Sequence, residues 1–251
     1  KGLPVEFDDV TFAYSEGSDP VLHDVSFVAD PGKTTAIIGS TGSGKSTIMK
    51  LIERFYDVSE GAIRVGGVDV RNMNQHELRH ELGYVPQKAF LFSGTIESTI
   101  AYSNQDMDTS RVRQAADIAQ ATEFIDSKEN GFSSEISQGG TNVSGGQRQR
   151  MAIARAIMKQ PEIYVFDDSF SALDYQTDAA LRQALAKQTH DATVIIVAQR
   201  LSTILHADQI LVLDGGRIVG RGTHSALLRS CETYREIALS QLSAAELGEE
   251  G

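Results

Sequence analysis

The sequence predicts an α/β fold built on a mainly parallel sheet, with an antiparallel β subdomain and an inserted α-helical subdomain. Three observations carry this. Thr35 to Ile38, Ile163 to Phe166 and Thr193 to Val197 are short, continuously apolar runs, the pattern of strands covered on both faces. Helical patterns lie near them, over Lys45 to Arg54, Ser144 to Lys159 and Asp178 to Lys187, and strands alternating with helices make a doubly covered parallel sheet. Between Gln87 and Ser144 the strand signal gives way to helical periodicity, most clearly in Thr109 to Ala119.

In chain order, Val5 to Tyr14 alternates apolar and polar residues with one slip near Asp8 and Asp9, which reads as a half-buried antiparallel strand with a bulge. Val21 to Ala29 follows a turn rich in Gly, Ser, Asp and Pro and reads as its partner. Apolar Ile153, Ala154 and Ile157 mark the buried side of the helix after Ser144. Gln209 to Leu213 and Arg217 to Gly222 flank the turn Asp214-Gly215-Gly216 as two late strands. Helices follow, and the acidic run Glu246 to Gly251 is expected to fray. This assigns residues 1-34 and 60-72 to the antiparallel lobe, 35-59, 73-87 and 160-251 to the core, and 88-159 to the helical lobe of one domain.

Composition narrows the classes. The 251 residues are 41% hydrophobic with 22 glycines, enough for a sizeable core and against wholesale disorder. Acidic residues outnumber basic ones by 34 to 23, for a net charge of -11, which argues against a general basic face for nucleic acid. Cys231 is the sole cysteine and cannot form an internal disulfide, which fits a reducing compartment. Apolar stretches such as Val194 to Ala198 fall far short of the roughly 18 residues of a membrane span. No signal peptide is visible, and a chain opening at Lys1 rather than Met is expected to be a piece of a longer protein.

Gly39-Ser40-Thr41-Gly42-Ser43-Gly44-Lys45-Ser46, with Thr47 next, matches the phosphate-binding loop of a P-loop NTPase core: a strand enters it and a helix leaves it. Glycines let backbone N–H groups point at phosphate oxygens, and the helix N-terminus adds its positive dipole end. Lys45 is expected to reach the β- and γ-phosphates, and the Ser46 hydroxyl to take a place on Mg²⁺. Ile163-Tyr164-Val165-Phe166-Asp167 places a carboxylate at a strand end, where it would hold the metal through water.

Asn142-Val143-Ser144-Gly145-Gly146-Gln147-Arg148-Gln149-Arg150 closely resembles the signature of the ATP-binding-cassette (ABC) ATPases, with Val143 in the usual leucine position. Ser144, Gly145, Gly146 and Gln147 sit at a helix start and offer a second phosphate-facing surface, which in that family closes over nucleotide held by the opposite subunit. Tyr14 looks like the aromatic that stacks on adenine. Gln87, in Tyr84-Val85-Pro86-Gln87, resembles the glutamine that touches Mg²⁺ and relays its state to a transporter. Ser171-Ala172-Leu173-Asp174 resembles the loop crossing the dimer interface, and Phe92-Ser93-Gly94-Thr95-Ile96 is similar to a stretch of exporters with six membrane helices per subunit. The resemblance runs from Val5 to about Leu242 and implies an ATPase that uses ATP and Mg²⁺ at the cytoplasmic face of the cell membrane.

Two departures matter. Active members carry glutamate after the metal-binding aspartate, to polarise the attacking water; this chain has Asp168, whose carboxylate withdraws by about an ångström and can cost on the order of a hundredfold in rate. Where active members carry histidine, this chain has Gln199, which can hydrogen-bond a phosphate but cannot become cationic. With the signature nearly intact, this resembles one subunit of a heterodimeric bacterial multidrug exporter. The resemblance implies a degenerate site here, a non-identical partner carrying the catalytic Glu and His, and transmembrane domains. Gln138, in Ser137-Gln138-Gly139-Gly140, stands where exporters usually have glutamate.

Competing motifs carry less. His76-Glu77-Leu78-Arg79-His80 matches the zinc-peptidase pattern, but Gly83 soon ends the helix and only the distant Glu97 offers a third ligand. Asp8-Asp9 reads as a solvated pair in a bulge rather than as glycosidase carboxylates. Two further classes remain: a regulatory module binding ATP with little hydrolysis, and a soluble nucleic-acid-associated cassette, which the acidic balance and the lack of basic arms disfavour.

Overall fold

The computed structural model describes residues 2–101 and 108–241; the acidic run from Glu246 and the end of the family resemblance at Leu242 lie outside them. An antiparallel pair, β1 (Val5–Phe12) and β2 (Leu22–Ala29), opens the chain. Next comes β3 (Thr34–Gly39), which runs into α1 (Lys45–Ile52). Strands β4 (Glu60–Val65) and β5 (Val68–Asp69) complete a four-stranded sheet ordered β2-β1-β4-β5. Then α2 (Gln75–Glu81) leads into β6 (Leu82–Val85). A largely helical stretch holds β7 (Gly94–Thr95), α3 (Ile96–Ile100), α4 (Thr109–Ile118), α5 (Thr122–Asp126) and β8 (Glu135–Ile136). The chain returns through α6 (Gly145–Lys159), β9 (Ile163–Asp167), α7 (Tyr175–Gln188), β10 (Thr193–Val197), β11 (Gln209–Asp214), β12 (Arg217–Gly222), α8 (His224–Ser230) and α9 (Glu232–Gln241).

The central sheet is ordered β12-β11-β3-β10-β9-β6 and is parallel except for β12, which forms an antiparallel hairpin with β11. Alternation along its strands sends side chains to two cores. Ile37, Val165 and Ile195 face α1 and the antiparallel sheet. Ala36, Ile38, Tyr164, Phe166, Val194 and Ile196 face α6, α7 and the C-terminal helices. Both faces being covered, apolar residues fill successive central positions of these strands, which is why they read as unbroken runs.

The bulge expected in the first strand is present: Asp9 has φ of 46° and pairing with β2 skips from Phe7 to Val10. Helix α7 begins earlier than its apolar periodicity suggests. The Asp174 carboxylate accepts the Thr177 N–H at 2.8 Å and caps the helix there, ahead of the first buried residue, Asp178. The short β7–β8 pair, Gly94 with Ile136 and Thr95 with Glu135, has no counterpart in the sequence reading, since two residues show no alternation. Likewise β6 is four residues long and includes Gly83, too short to stand out.

Ile195 lies in the middle of the central sheet with no exposed surface. Ile195→Ala is expected to lower the unfolding free energy by roughly 2–5 kcal/mol, to be read as a lower urea midpoint at unchanged slope.

Candidate nucleotide site

Parallel pairing brings four strand ends to one edge. Strand β3 runs into Gly39–Ser46, β6 into Gln87, β9 into Asp167 and Asp168, and β10 into Gln199. In open α/β sheets ligands bind at the carboxyl ends of strands, and of the expected residues the Gly39–Ser46 loop, Gln87, Asp167, Asp168 and Gln199 lie at that edge.

The loop after β3 is shaped for an anion. Gly42 and Gly44 take φ of 81° and 110°, a region that strains any residue bearing a Cβ. Gly44 caps α1 without a side-chain hydrogen bond, so the helix N–H groups and dipole stay available to a ligand. Lys45 is buried and its ammonium donates to Gly39 O. Burial lowers its pKa, and the Asp168 and Asp167 charges oppose that shift. Ser43 Oγ is buried with no hydrogen-bond partner among the described residues, while Gly216 N in the late hairpin turn donates to Ser43 O at 3.0 Å. Ser40 and Thr41 form the exposed crest of the loop.

Asp167 accepts a hydrogen bond from the Tyr84 hydroxyl at 3.1 Å. Burial raises the Asp167 carboxyl above its ordinary range, against the pull of Tyr84 and Lys45. Ser46 and Asp167 border one cleft with Lys50, Glu53, Tyr56 and Tyr84. A hydroxyl and carboxylates form an all-oxygen donor set that suits a hard divalent cation such as Mg²⁺. The orphaned Ser43 hydroxyl, the buried ammonium and the free helix N–H groups suit a polyphosphate. The residues present fit Mg²⁺ with a nucleoside triphosphate.

Asp168 is nearly buried and has φ of 48°, a conformation aspartate tolerates better than most residues. Its Oδ2 accepts from Gln87 Nε2 at 3.1 Å and its Oδ1 from Gln199 N at 3.4 Å. Burial raises its pKa; the Gln199 N–H and Lys45 oppose the shift, and Asp167 adds to it. Tyr14 lies at the rim, 41% exposed, with its hydroxyl 2.9 Å from Thr47 Oγ1 and its ring edge-on to Phe12 and Tyr56.

Ser144, Gly145, Gly146, Gln147 and Asp174 form a second cluster at two helix starts. Ser144 Oγ accepts from Gln147 N at 3.1 Å and Gln147 Oε1 accepts from Ser144 N at 3.2 Å, a capping box that fixes the start of α6 and leaves the Gly145 and Gly146 N–H groups without intrahelical partners. A Cβ on Gly146 would stand 3.3 Å from Ala172 O, so this turn packs against the loop that carries Asp174. Backbone and hydroxyl donors of Thr177 hold the Asp174 carboxyl below its usual range. Gln138 Oε1 accepts from Ser93 N at 3.4 Å, which joins two of the family-like segments.

Elsewhere, His76 and His80 on α2 are exposed and Leu78 is the buried residue of that helix. Asp8 pairs with Arg64 at 3.0 Å, and Asp9 Oδ1 accepts from Ser26 Oγ at 3.1 Å.

Several supporting residues escaped the sequence reading. Gln149 is buried on the apolar face of α6 and donates to Pro86 O at 2.8 Å, beside Gln87. A polar residue on a buried helical face signals such a partner. Ser169 Oγ donates to Val85 O at 2.6 Å. Arg200 donates to Leu173 O and Ser171 O at 3.0 Å each and to the buried Asp178 at 3.2 Å, tying the Gln199 loop to the Asp174 loop.

The family model described as ABC transporter matches residues 22–171. An uncharacterized ABC transporter ATP-binding protein of Mycobacterium tuberculosis is 48% identical over 247 residues, covering 97% of this chain and 42% of that protein. An ATP-dependent lipid A-core flippase of Saccharophagus degradans is 42% identical over 239 residues, 95% of this chain and 41% of its own. The structure of a bacterial Atm1-family ABC exporter with ATP bound superposes with a TM-score of 0.92 at 40% identity, covering 97% of this chain and 43% of that one. The chain thus spans about two fifths of the length of these relatives.

Glu53 in the same cleft gives the site a pH signature. Burial pushes its carboxyl from 4.5 up to about 7, with Arg79 opposing and Asp167 adding. Between those values the folded state keeps a proton that the unfolded chain has lost, so stability falls as pH rises through the window. Glu53→Gln, which cannot ionise, is expected to raise Tm relative to the parent more at about pH 8 than at about pH 4.5, measured by scanning fluorimetry; a pH-independent offset would contradict this assignment.

Proposed function

The chain belongs to the ABC transporter family, and we propose that it is the ATP-binding and hydrolysing domain of a membrane exporter, contributing a degenerate nucleotide site and an intact signature to a heterodimer. The observation that carries the reading is Asp168. It stands where a glutamate would polarise water, and its short carboxylate is engaged by Gln87 Nε2 and Gln199 N. The exporter class draws support from relatives described as a flippase and an exporter.

Lys45 and the N–H groups around Gly42 and Gly44 offset the charge of the β- and γ-phosphates. Ser46, Gln87 and Asp167 would hold Mg²⁺, the last through water. When bound, that ion spreads the charge that develops on the phosphoryl oxygens. Tyr14 offers an aromatic face to the base. Asp168 orients water poorly because its carboxylate falls short, and Gln199 contacts the γ-phosphate while staying neutral. Ser144, Gly145, Gly146, Gln147 and Asp174 cover nucleotide on a non-identical partner that carries the Glu and His. Retained ATP in this chain's own site holds the dimer partly shut while the partner's site turns over.

No helix among the described residues is long and apolar enough to cross a membrane. In the proposed exporter the membrane domains lie in other segments, and this domain works at the cytoplasmic face. A second reading, a regulatory module with little hydrolysis, is favoured by the same Asp168 and Gln199 and describes this pocket taken alone. A role on nucleic acid is disfavoured by the net charge of -11.

Asp168→Glu combined with Gln199→His is expected to raise the steady-state ATPase rate of the isolated chain by on the order of tenfold to a hundredfold, in a phosphate-release assay. Adding the cognate partner to the parent chain should raise activity above the sum of the separate chains; simple additivity would count against the composite site. Lys45→Ala should weaken Mg·ATP binding by at least about tenfold in a fluorescent-nucleotide titration.

A further inference from the structure

We propose that Gln241, on the C-terminal helix, is a positioning residue for the loop that carries Gln199, so that this helix sets how firmly the chain holds the γ-phosphate. The inference rests on the reading of the site as an ATP site.

Helix α9 buries Tyr234 and Ala238 and half-buries Ile237. Positions 234, 238 and 241 share one face of a helix. Tyr234 is fully buried, which anchors that face on the body of the domain and carries Gln241 over the turn that follows β10. There one carboxamide makes two hydrogen bonds. Gln241 Oε1 accepts the Leu201 N–H at 2.7 Å, and Gln241 Nε2 donates to Gln199 O. The two bonds straddle Arg200. A carboxamide offers a donor and an acceptor side by side, which is what a backbone segment presenting one C=O and one N–H requires.

Other hydrogen bonds also restrain the loop. Arg200 reaches Leu173 O, Ser171 O and Asp178, and Gln199 N reaches Asp168 Oδ1 at a long 3.4 Å. The Arg200 side chain therefore ties the loop to the segment that leads into α7, while the Gln199 backbone is held at its N–H by Asp168 and at its C=O by Gln241. Gln199 itself is exposed, so its direction depends on this backbone. Gln241 is exposed as well, so breaking its bonds disturbs the loop without opening the core.

The test uses the 251-residue chain and two variants. Gln241→Met keeps length and removes both hydrogen bonds. Gln241→Glu keeps an acceptor for Leu201 N–H and sets a second oxygen against Gln199 O. Hydrogen–deuterium exchange without nucleotide reads the loop, and titrations with Mg·ATP and Mg·ADP read the site. Exchange over residues 199–201 should quicken in Gln241→Met. Both variants should lose about three- to tenfold in Mg·ATP affinity, the worth of one or two neutral hydrogen bonds, with Mg·ADP affinity unchanged because ADP lacks the γ-phosphate. Unaltered exchange in Gln241→Met overturns the clasp. Faster exchange with an unaltered ratio of ATP to ADP affinity overturns its role at the site. A parent chain that binds neither nucleotide overturns the ATP reading instead, while exchange still decides the clasp.

Discussion

The site depends on the register of a parallel sheet. Val197 pairs with Ile37 on one side and with Asp167 on the other, so three neighbouring strands bring their carboxyl ends to one edge. The glycine-rich loop after β3, the Asp167–Asp168 pair and Gln199 then leave the sheet at one edge. Antiparallel pairing would send alternate loops to opposite edges, and none of these groups could meet. The cost of a parallel sheet is that both faces must be covered, which accounts for the two cores and for much of the chain outside the site.

Electrostatics make the assembled edge responsive to a ligand. Buried Lys45 feels both Asp168 and Asp167, and Glu53 feels Asp167. Burial lowers the pKa of the lysine and raises those of the three carboxyls, so each charge is held at some expense. Polyphosphate beside the ammonium and a divalent cation beside the carboxylates would relieve both strains. Such a pocket is better suited to a charged ligand than to none.

The two clusters in the chain differ in completeness. The start of α6 is fixed by Ser144 and Gln147 exchanging hydrogen bonds, which leaves the Gly145 and Gly146 N–H groups free to meet an anion. At the other cluster each Asp168 oxygen accepts one hydrogen bond, from Gln87 Nε2 and from Gln199 N. Arg200 links the two clusters, since it leaves the Gln199 loop and ends on the carbonyls of Ser171 and Leu173.

Much was legible in the chain itself. Covered strands appear as apolar runs, the bulge at Asp9 as a slip in alternation, and the phosphate loop and signature as local strings of glycine and hydroxyl residues whose geometry depends on few distant contacts. These features are written in neighbouring residues, so one sequence suffices to determine them. Residues that act through long-range bonds were not legible: Tyr84 on Asp167 and Gln149 on Pro86 O carry no pattern in the sequence, because each partner lies more than sixty residues away. Only the packed structure decided those pairings, for a hydrogen bond requires two groups to arrive within about 3 Å, and it is the sheet register and helix docking that bring them there.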